Sequence, residues 1–136
     1  MTKLYLAGPM TGIKYFNAPA FADAAFRLRL AGYEVFNPAE NDMSNGIELG
    51  KFDGTENLTD HGFSLRNVLK EDLSWICDNA DGIAMLFGCD KSKGAQAELA
   101  LAHALGIPTN MYMGWVQEAE IVEIGDGFDS LDVVSA

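Results

Sequence analysis

Between Gly94 and Ile107 the sequence holds one residue of fixed charge, Glu98, in a stretch made mainly of Ala and Leu. His103 joins it only when protonated. Such a segment reads as a helix that is apolar nearly all round, and therefore buried. A lone buried carboxylate is costly unless it is paired or has chemistry to perform. The plainer reading puts Glu98 in the first turn, complementing the helix dipole. Asp72 is the second such residue. It stands at i+4 from Val68, i+3 from Leu69 and i−4 from Ile76, so it points along an apolar helical stripe while Glu71 points away. The plainer reading there is a stripe-edge aspartate in solvent. Tyr5 lies near the end of a strand-like run, where a buried hydroxyl needs a partner and a carboxylate would serve. A tyrosine that simply packs in the core fits the sequence as well. Two carboxylates and a tyrosine suit glycosyl chemistry, in which one carboxylate attacks or stabilises the anomeric carbon and the other protonates the leaving group.

Two Gly-bounded loops stand beside these residues, Gly8-Pro9-Met10-Thr11-Gly12 and Ser92-Lys93-Gly94. Each leads towards a helix, whose free N–H groups favour an anion. Neither is a P-loop, and the absence of a GxGxxG pattern gives no reason to expect a dinucleotide. No cofactor is expected. His61 and His103 are isolated, and Cys77 and Cys89 form no cluster with metal-ligand spacing, so no metal site is expected. His103 reads as a satisfied structural histidine, and Trp75, Trp115 and the six Met residues read as core or interface.

These groups must be held by elements that the pattern of apolar residues marks out. Lys3 to Ala7 reads as a buried strand ending at Gly8-Pro9. Asn17 reads as the N-cap of a helix that runs to Ala31, with Gly32 as its C′ residue. Tyr33 to Asn37 reads as a second strand stopped by Pro38. Residues 39 to 63, rich in Asn, Asp and Gly, show no sustained period and read as a long loop of the kind that is functional or mobile. Ser64 caps a helix reaching about Asn79. Gly82 to Phe87 reads as the most apolar strand, Ala95 to Leu105 as a helix closed by Gly106, and Thr109 to Met113 as a fourth strand. Ala119 to Ile124 is a candidate fifth strand, and 125–136 a loose acidic tail. Strands alternating with helices predict an α/β fold: a flavodoxin/Rossmann-like three-layer sandwich on a four- to five-stranded parallel sheet, with ligands at the carboxyl ends of the strands.

Length and charge set the outer bounds. The chain has 136 residues, a net charge of −11 and 49% hydrophobic residues, which fits one globular domain over 1–136. No Lys or Arg follows Lys93. Such a chain repels polyanionic duplexes and anionic membranes, so neither nucleic acid nor membrane is expected as a partner. Two cysteines, no long apolar run and no signal-peptide pattern point to a cytoplasmic protein with reduced thiols.

Taken together, Tyr5-Leu6-Ala7-Gly8-Pro9, Glu71-Asp72-Leu73-Ser74-Trp75-Ile76, Ala80-Asp81-Gly82-Ile83-Ala84 and Ser92-Lys93-Gly94-Ala95-Gln96-Ala97-Glu98 resemble the nucleoside 2-deoxyribosyltransferase superfamily. The likeness is nearest to its 2′-deoxynucleoside 5′-monophosphate N-glycosidases and to a branch often carried by phages. It spans roughly residues 3 to 113. The resemblance implies cleavage of the N-glycosidic bond of a deoxynucleotide, releasing free base and deoxyribose 5-phosphate. It gives Glu98 the role of covalent nucleophile, Asp72 that of the acid that helps the base leave, and Tyr5 that of orienting Glu98. Ser92 and Gly94 match a phosphate-holding turn, and Gly8, Pro9, Met10, Thr11 and Gly12 the loop near the same phosphate. Ser92 stands where nucleoside-using transferases carry an aspartate for the free 5′-hydroxyl, which favours the monophosphate. The first loop lacks the arginine of the monophosphate hydrolases, so compensating charge is expected from Lys14, Lys91, Lys93 or a helix N-terminus. The resemblance also implies a homodimer or higher homo-oligomer, with Met111, Tyr112, Met113 and Trp115 as interface anchors, and host cytoplasm for a phage-borne protein. Alternatives are a deoxyribosyltransferase that exchanges bases, a non-catalytic nucleotide-binding or sensing module, and an electron carrier of flavodoxin type, which would need a flavin.

Overall fold

The computed structural model describes residues 1–121. Four strands, β1 (Lys3–Ala7), β2 (Glu34–Phe36), β3 (Gly82–Met85) and β4 (Thr109–Met111), form one sheet in the order β2-β1-β3-β4. Every pairing is parallel, with Tyr5 of β1 between Phe36 of β2 and Ile83 of β3. This is the flavodoxin-like order, and the crossovers leave β1 and β3 in opposite directions. The expected α/β class and parallel sheet are therefore what the chain adopts.

Alternation along β1 sorts its side chains between two cores. Leu4 and Leu6 face α1 (Ala18–Leu30), which buries Phe21, Ala24, Ala25 and Leu28. Tyr5 and Ala7 face α3 (Leu65–Asn79) and α4 (Lys93–Leu105) through Ile76, Ala95 and Ala102. Full burial of a side chain such as Leu4 or Phe21 stabilises by about 1.5–3 kcal/mol, and the two cores fix the sheet between its helical layers.

Three expectations need correction. Residues 112–121 are helical, so 119–121 are not strand, and the rest of the expected fifth strand and the acidic tail lie outside the described residues. Trp115 is not a surface anchor. It is buried, its ring lies where a Cβ on Gly82 would come within 2.6 Å, and its indole N–H donates to the Ile83 carbonyl at 2.8 Å. Met111 and Met113 are exposed. Residues 39–63 are not one long loop either. They begin with the helix α2 (Pro38–Ser44) and contain two 3-10 turns, Leu49–Lys51 and Leu58–His61. Asn37 caps α2 by accepting from the Ala39 and Glu40 N–H groups at 3.0 and 3.3 Å, and Pro38 supplies a first-turn residue that needs no N–H partner.

The entry to α1 is unusual. Tyr15, Phe16 and Asn17 all have left-handed backbone, with φ of 58°, 49° and 63°. Asn17 sits at the N-cap but does not cap with its side chain, which instead donates to the Pro9 carbonyl at 2.9 Å. Non-glycine residues in this region are held there by their surroundings. Two backbone bonds supply the hold: Gly12 N–H to the Gly54 carbonyl at 2.8 Å, and Tyr15 N–H to the Phe52 carbonyl at 3.0 Å. A Cβ on Gly54 would stand 2.0 Å from the Ile13 carbonyl oxygen, so the two segments meet backbone to backbone. Among the described residues no helix is long and apolar enough to cross a membrane.

Candidate active site

A cavity of about 390 Å³ opens at the carboxyl ends of β1, β2 and β3, within the size range of small-molecule sites. The sheet supplies Tyr5, the loop after β1 supplies Gly8, Met10 and Thr11, α3 supplies Asp72, and the start of α4 supplies Ser92, Gly94 and Glu98. Of the residues singled out in the sequence, Pro9 and Gly12 do not line it.

Tyr5, Asp72 and Glu98 are buried, at 0%, 4% and 6% exposure. Tyr5 is held by its aromatic neighbours. Its ring stacks on Phe36 at 5.4 Å between centroids, and Trp75 lies against both rings. So placed, its hydroxyl donates to Glu98 Oε2. Glu98 lies beyond the first turn of α4, where a dipole partner would stand, and Asp72 is buried rather than a solvated stripe edge. Burial pushes the Glu98 carboxyl up to about 8; the Tyr5 hydrogen bond pulls it down and the Asp72 charge raises it further. Burial pushes Asp72 up to about 6, against the pull of Tyr5, with Glu71 adding to the rise. Burial and then the Glu98 and Asp72 charges drive the Tyr5 phenol well above its ordinary value, so it stays a donor. One oxygen of Asp72, Oδ1, is buried without a hydrogen-bond partner. The pair can hold one proton between them near neutral pH, which a nucleophile and an acid acting together require.

The two glycine loops divide in role. A Cβ on Gly8 would come within 2.8 Å of Leu86, so packing requires that glycine. Gly12 has a positive φ, and its N–H is engaged by Gly54. Gly94 differs. No positive φ requires it, and a Cβ there would meet nothing closer than Ser92 Oγ at 3.9 Å. It faces the cavity on the first turn of α4. Ser92 caps that helix, its Oγ accepting from the Ala95 N–H at 3.2 Å, which leaves the hydroxyl proton to donate. An anion at this point meets the Ser92 hydroxyl and the free first-turn N–H groups. Lys14, Lys91 and Lys93 do not line the cavity, and Lys14 lies 4.9 Å from the centre of its neighbour's ring, Tyr15. Of the expected sources of positive charge, the helix N-terminus alone faces the cavity.

The cavity also holds residues that the sequence pattern does not reveal. Asp42 of α2 is 3% exposed, and burial, with the Asp72 and Glu71 charges behind it, pushes its carboxyl up to about 7. Glu56, Asn57, Leu58, Thr59 and Phe63 bring the 39–63 segment over the same space. The signal for α2 is present as Asn37-Pro38-x-Glu40, a cap residue, a first-turn proline and an acid at N3. Among the described residues no three His, Cys, Asp or Glu side chains are grouped to hold a metal ion.

One family model, described as a domain of unknown function (DUF4406), matches residues 2–111. No curated protein and no solved structure matches the chain.

Proposed function

We propose that this chain, which belongs to the DUF4406 family, cleaves the N-glycosidic bond of a 2′-deoxynucleoside 5′-monophosphate. The observation that carries the reading is the buried Tyr5–Glu98 hydrogen bond with Asp72 on the same cavity. The proton that the pair shares rests on Glu98, the weaker acid, and passes to Asp72 before reaction. Glu98, then a carboxylate, forms a bond from Oε to C1′ of the deoxyribose while the C1′–N bond breaks. The bond's electron pair goes to the base nitrogen, and neutral Asp72 gives the base its proton. Water then attacks C1′, its proton returns to Asp72, and the ester to Glu98 opens, leaving free base and deoxyribose 5-phosphate. The Tyr5 hydroxyl favours the charged form of Glu98 and fixes which oxygen attacks. The 5′-phosphate lies against Ser92 and the first turn of α4, where Gly94 leaves room for it.

A second reading is favoured by one observation. Asp42, Glu56, Asp72 and Glu98 line the cavity, and among the described residues no Lys, Arg or His does. A site so lined suits an unphosphorylated deoxynucleoside, with the deoxyribosyl group passed to another base in place of water. Incubation with a panel of deoxynucleosides and their 5′-monophosphates, with free base measured with and without an acceptor base, tests both. Release of base from monophosphates with water as acceptor is the expected result. Base exchange on nucleosides would move the chain to the second reading, and no release from any member would refute both.

A further inference from the structure

The mechanism above leaves Asp42 without a task, although the fold goes to some length to hold it in place. Arg29 donates to both carboxylate oxygens of Glu40 at 3.0 and 3.1 Å and to the Val35 carbonyl at 3.0 Å, which ties the first turn of α2 to α1 and β2. At the other end, the Asn45 and Ile47 N–H groups both donate to the Asp42 carbonyl at 3.1 Å. The helix so clamped turns Asp42 into the cavity that holds Asp72. Each of these two aspartates, from different elements, keeps a buried Oδ1 that no group among the described residues satisfies. An unmet buried acceptor costs about 1–3 kcal/mol. A ligand with donors would offset it.

We propose that Asp42 and Asp72 together form the edge that reads the departing base, and that they select a base with an exocyclic amino group over its oxo counterpart. The inference rests on the N-glycosidic reading and names the substrate class of that site. A carboxyl group offers an acceptor oxygen in either protonation state, whereas it offers a donor only when neutral. An amino group therefore meets a partner whatever the proton count of the pair. A carbonyl at the same position meets one only when the facing acid is protonated, and otherwise sets lone pair against lone pair. Departure adds to the difference. A base with an amino group, once protonated and still bonded to C1′, carries amidinium-like charge until the bond's electron pair neutralises it, and a neighbouring carboxylate stabilises the share of that charge on the amino nitrogen.

Matched pairs isolate this one group: the 5′-monophosphates and nucleosides of deoxyadenosine against deoxyinosine, and of deoxycytidine against deoxyuridine. The wild-type protein is expected to prefer the amino member by about tenfold or more in kcat/KM, the scale set by leaving a buried polar group unpaired. Asp42→Asn, which places a donor where an acceptor stood, narrows or reverses the preference. Asp42→Ala, which offers neither, abolishes it without reversal. Binding of free adenine and free hypoxanthine to the wild type and both variants, by calorimetry, gives the same comparison without turnover. Equal treatment of each pair by the wild type, or a preference unchanged in both variants, overturns the assignment. Absence of base release from every substrate refutes the N-glycosidic reading alone. In that case adenine binding over hypoxanthine, lost in Asp42→Asn, still upholds the role of Asp42.

Discussion

Replacing Glu98 by Gln tests the buried carboxylate apart from any assumption about substrate. In the folded chain Glu98 holds its proton up to about pH 8, against an ordinary value of 4.5. Between these values the folded state binds more protons than the unfolded one, so this group's linked stability falls as pH rises through that window. At 1.36 kcal/mol per unit, the loss is on the order of 4–5 kcal/mol by pH 9. Gln is nearly isosteric and can still accept from Tyr5, but it titrates nothing. Its buried amide adds a constant penalty of about 1–3 kcal/mol at every pH. Urea unfolding of both proteins at pH 5, 7 and 8.5 therefore has a definite shape. The variant starts level with or below the wild type at pH 5, then gains on it steadily and is the more stable at pH 8.5. Base release should fall to less than about a tenth, a barrier change of at least about 1.4 kcal/mol. A stability difference that stays flat between pH 5 and 8.5 would refute the account of Glu98 as a carboxylate destabilised by burial, whatever the enzyme assay shows.

Three further outcomes follow from the same site. With Asp72 near 6 and Glu98 near 8, kcat/KM should trace a bell whose acid limb lies near pH 6, where the pair gains a second proton, and whose basic limb lies near pH 8, where it loses the last; a profile level from pH 5 to 9 speaks against the shared proton. Gly94→Ala should leave the melting temperature unchanged or raise it, since Ala is the better helix former by up to about 1 kcal/mol, while lowering kcat/KM for monophosphates; unaltered kinetics would remove the phosphate from the first turn of α4. Monophosphates should outperform nucleosides by roughly a hundredfold or more, given about 1.5–3 kcal/mol for each charge-assisted hydrogen bond, and Ser92→Asp should shrink or reverse the preference; equal rates for the two wild-type substrates would favour the nucleoside reading.

What the sequence reveals depends on how strong the local contrast is. Glu98 stands out because nothing else charged surrounds it, and Asp72 because its stripe neighbours are apolar; both are buried as their spacing implies. Ser64, Gly32 and Gly106 announce helix ends by residue type, and those ends fall where expected, although α4 starts at Lys93 rather than Ala95. Asp42 had no such contrast. Its helix has seven residues, too short for a period to show, and lies among Asn, Asp and Gly that read as loop. Pro38 was ambiguous, since it both stops β2 and opens α2. Trp115 looked like a contact residue because its burial depends on the missing Cβ of Gly82, far away in sequence. Gly12 and Gly94 are the same residue type in similar loops, and only the backbone tells them apart: φ is positive at Gly12, whose N–H is engaged by Gly54, and not at Gly94.

The join between the first loop and the 52–54 segment carries a consequence for how this chain can vary. The left-handed stretch at Tyr15–Asn17 keeps its shape because Gly12 and Tyr15 are bonded to the Gly54 and Phe52 carbonyls, and Gly54 sits too close to Ile13 to bear a side chain. Neither segment can be lengthened, shortened or respaced without unseating the other. Across relatives, insertions and deletions in the two should therefore arise together, and a graft of one loop from a homologue should fold only when its companion is transplanted with it. The two segments should thus vary as a single part.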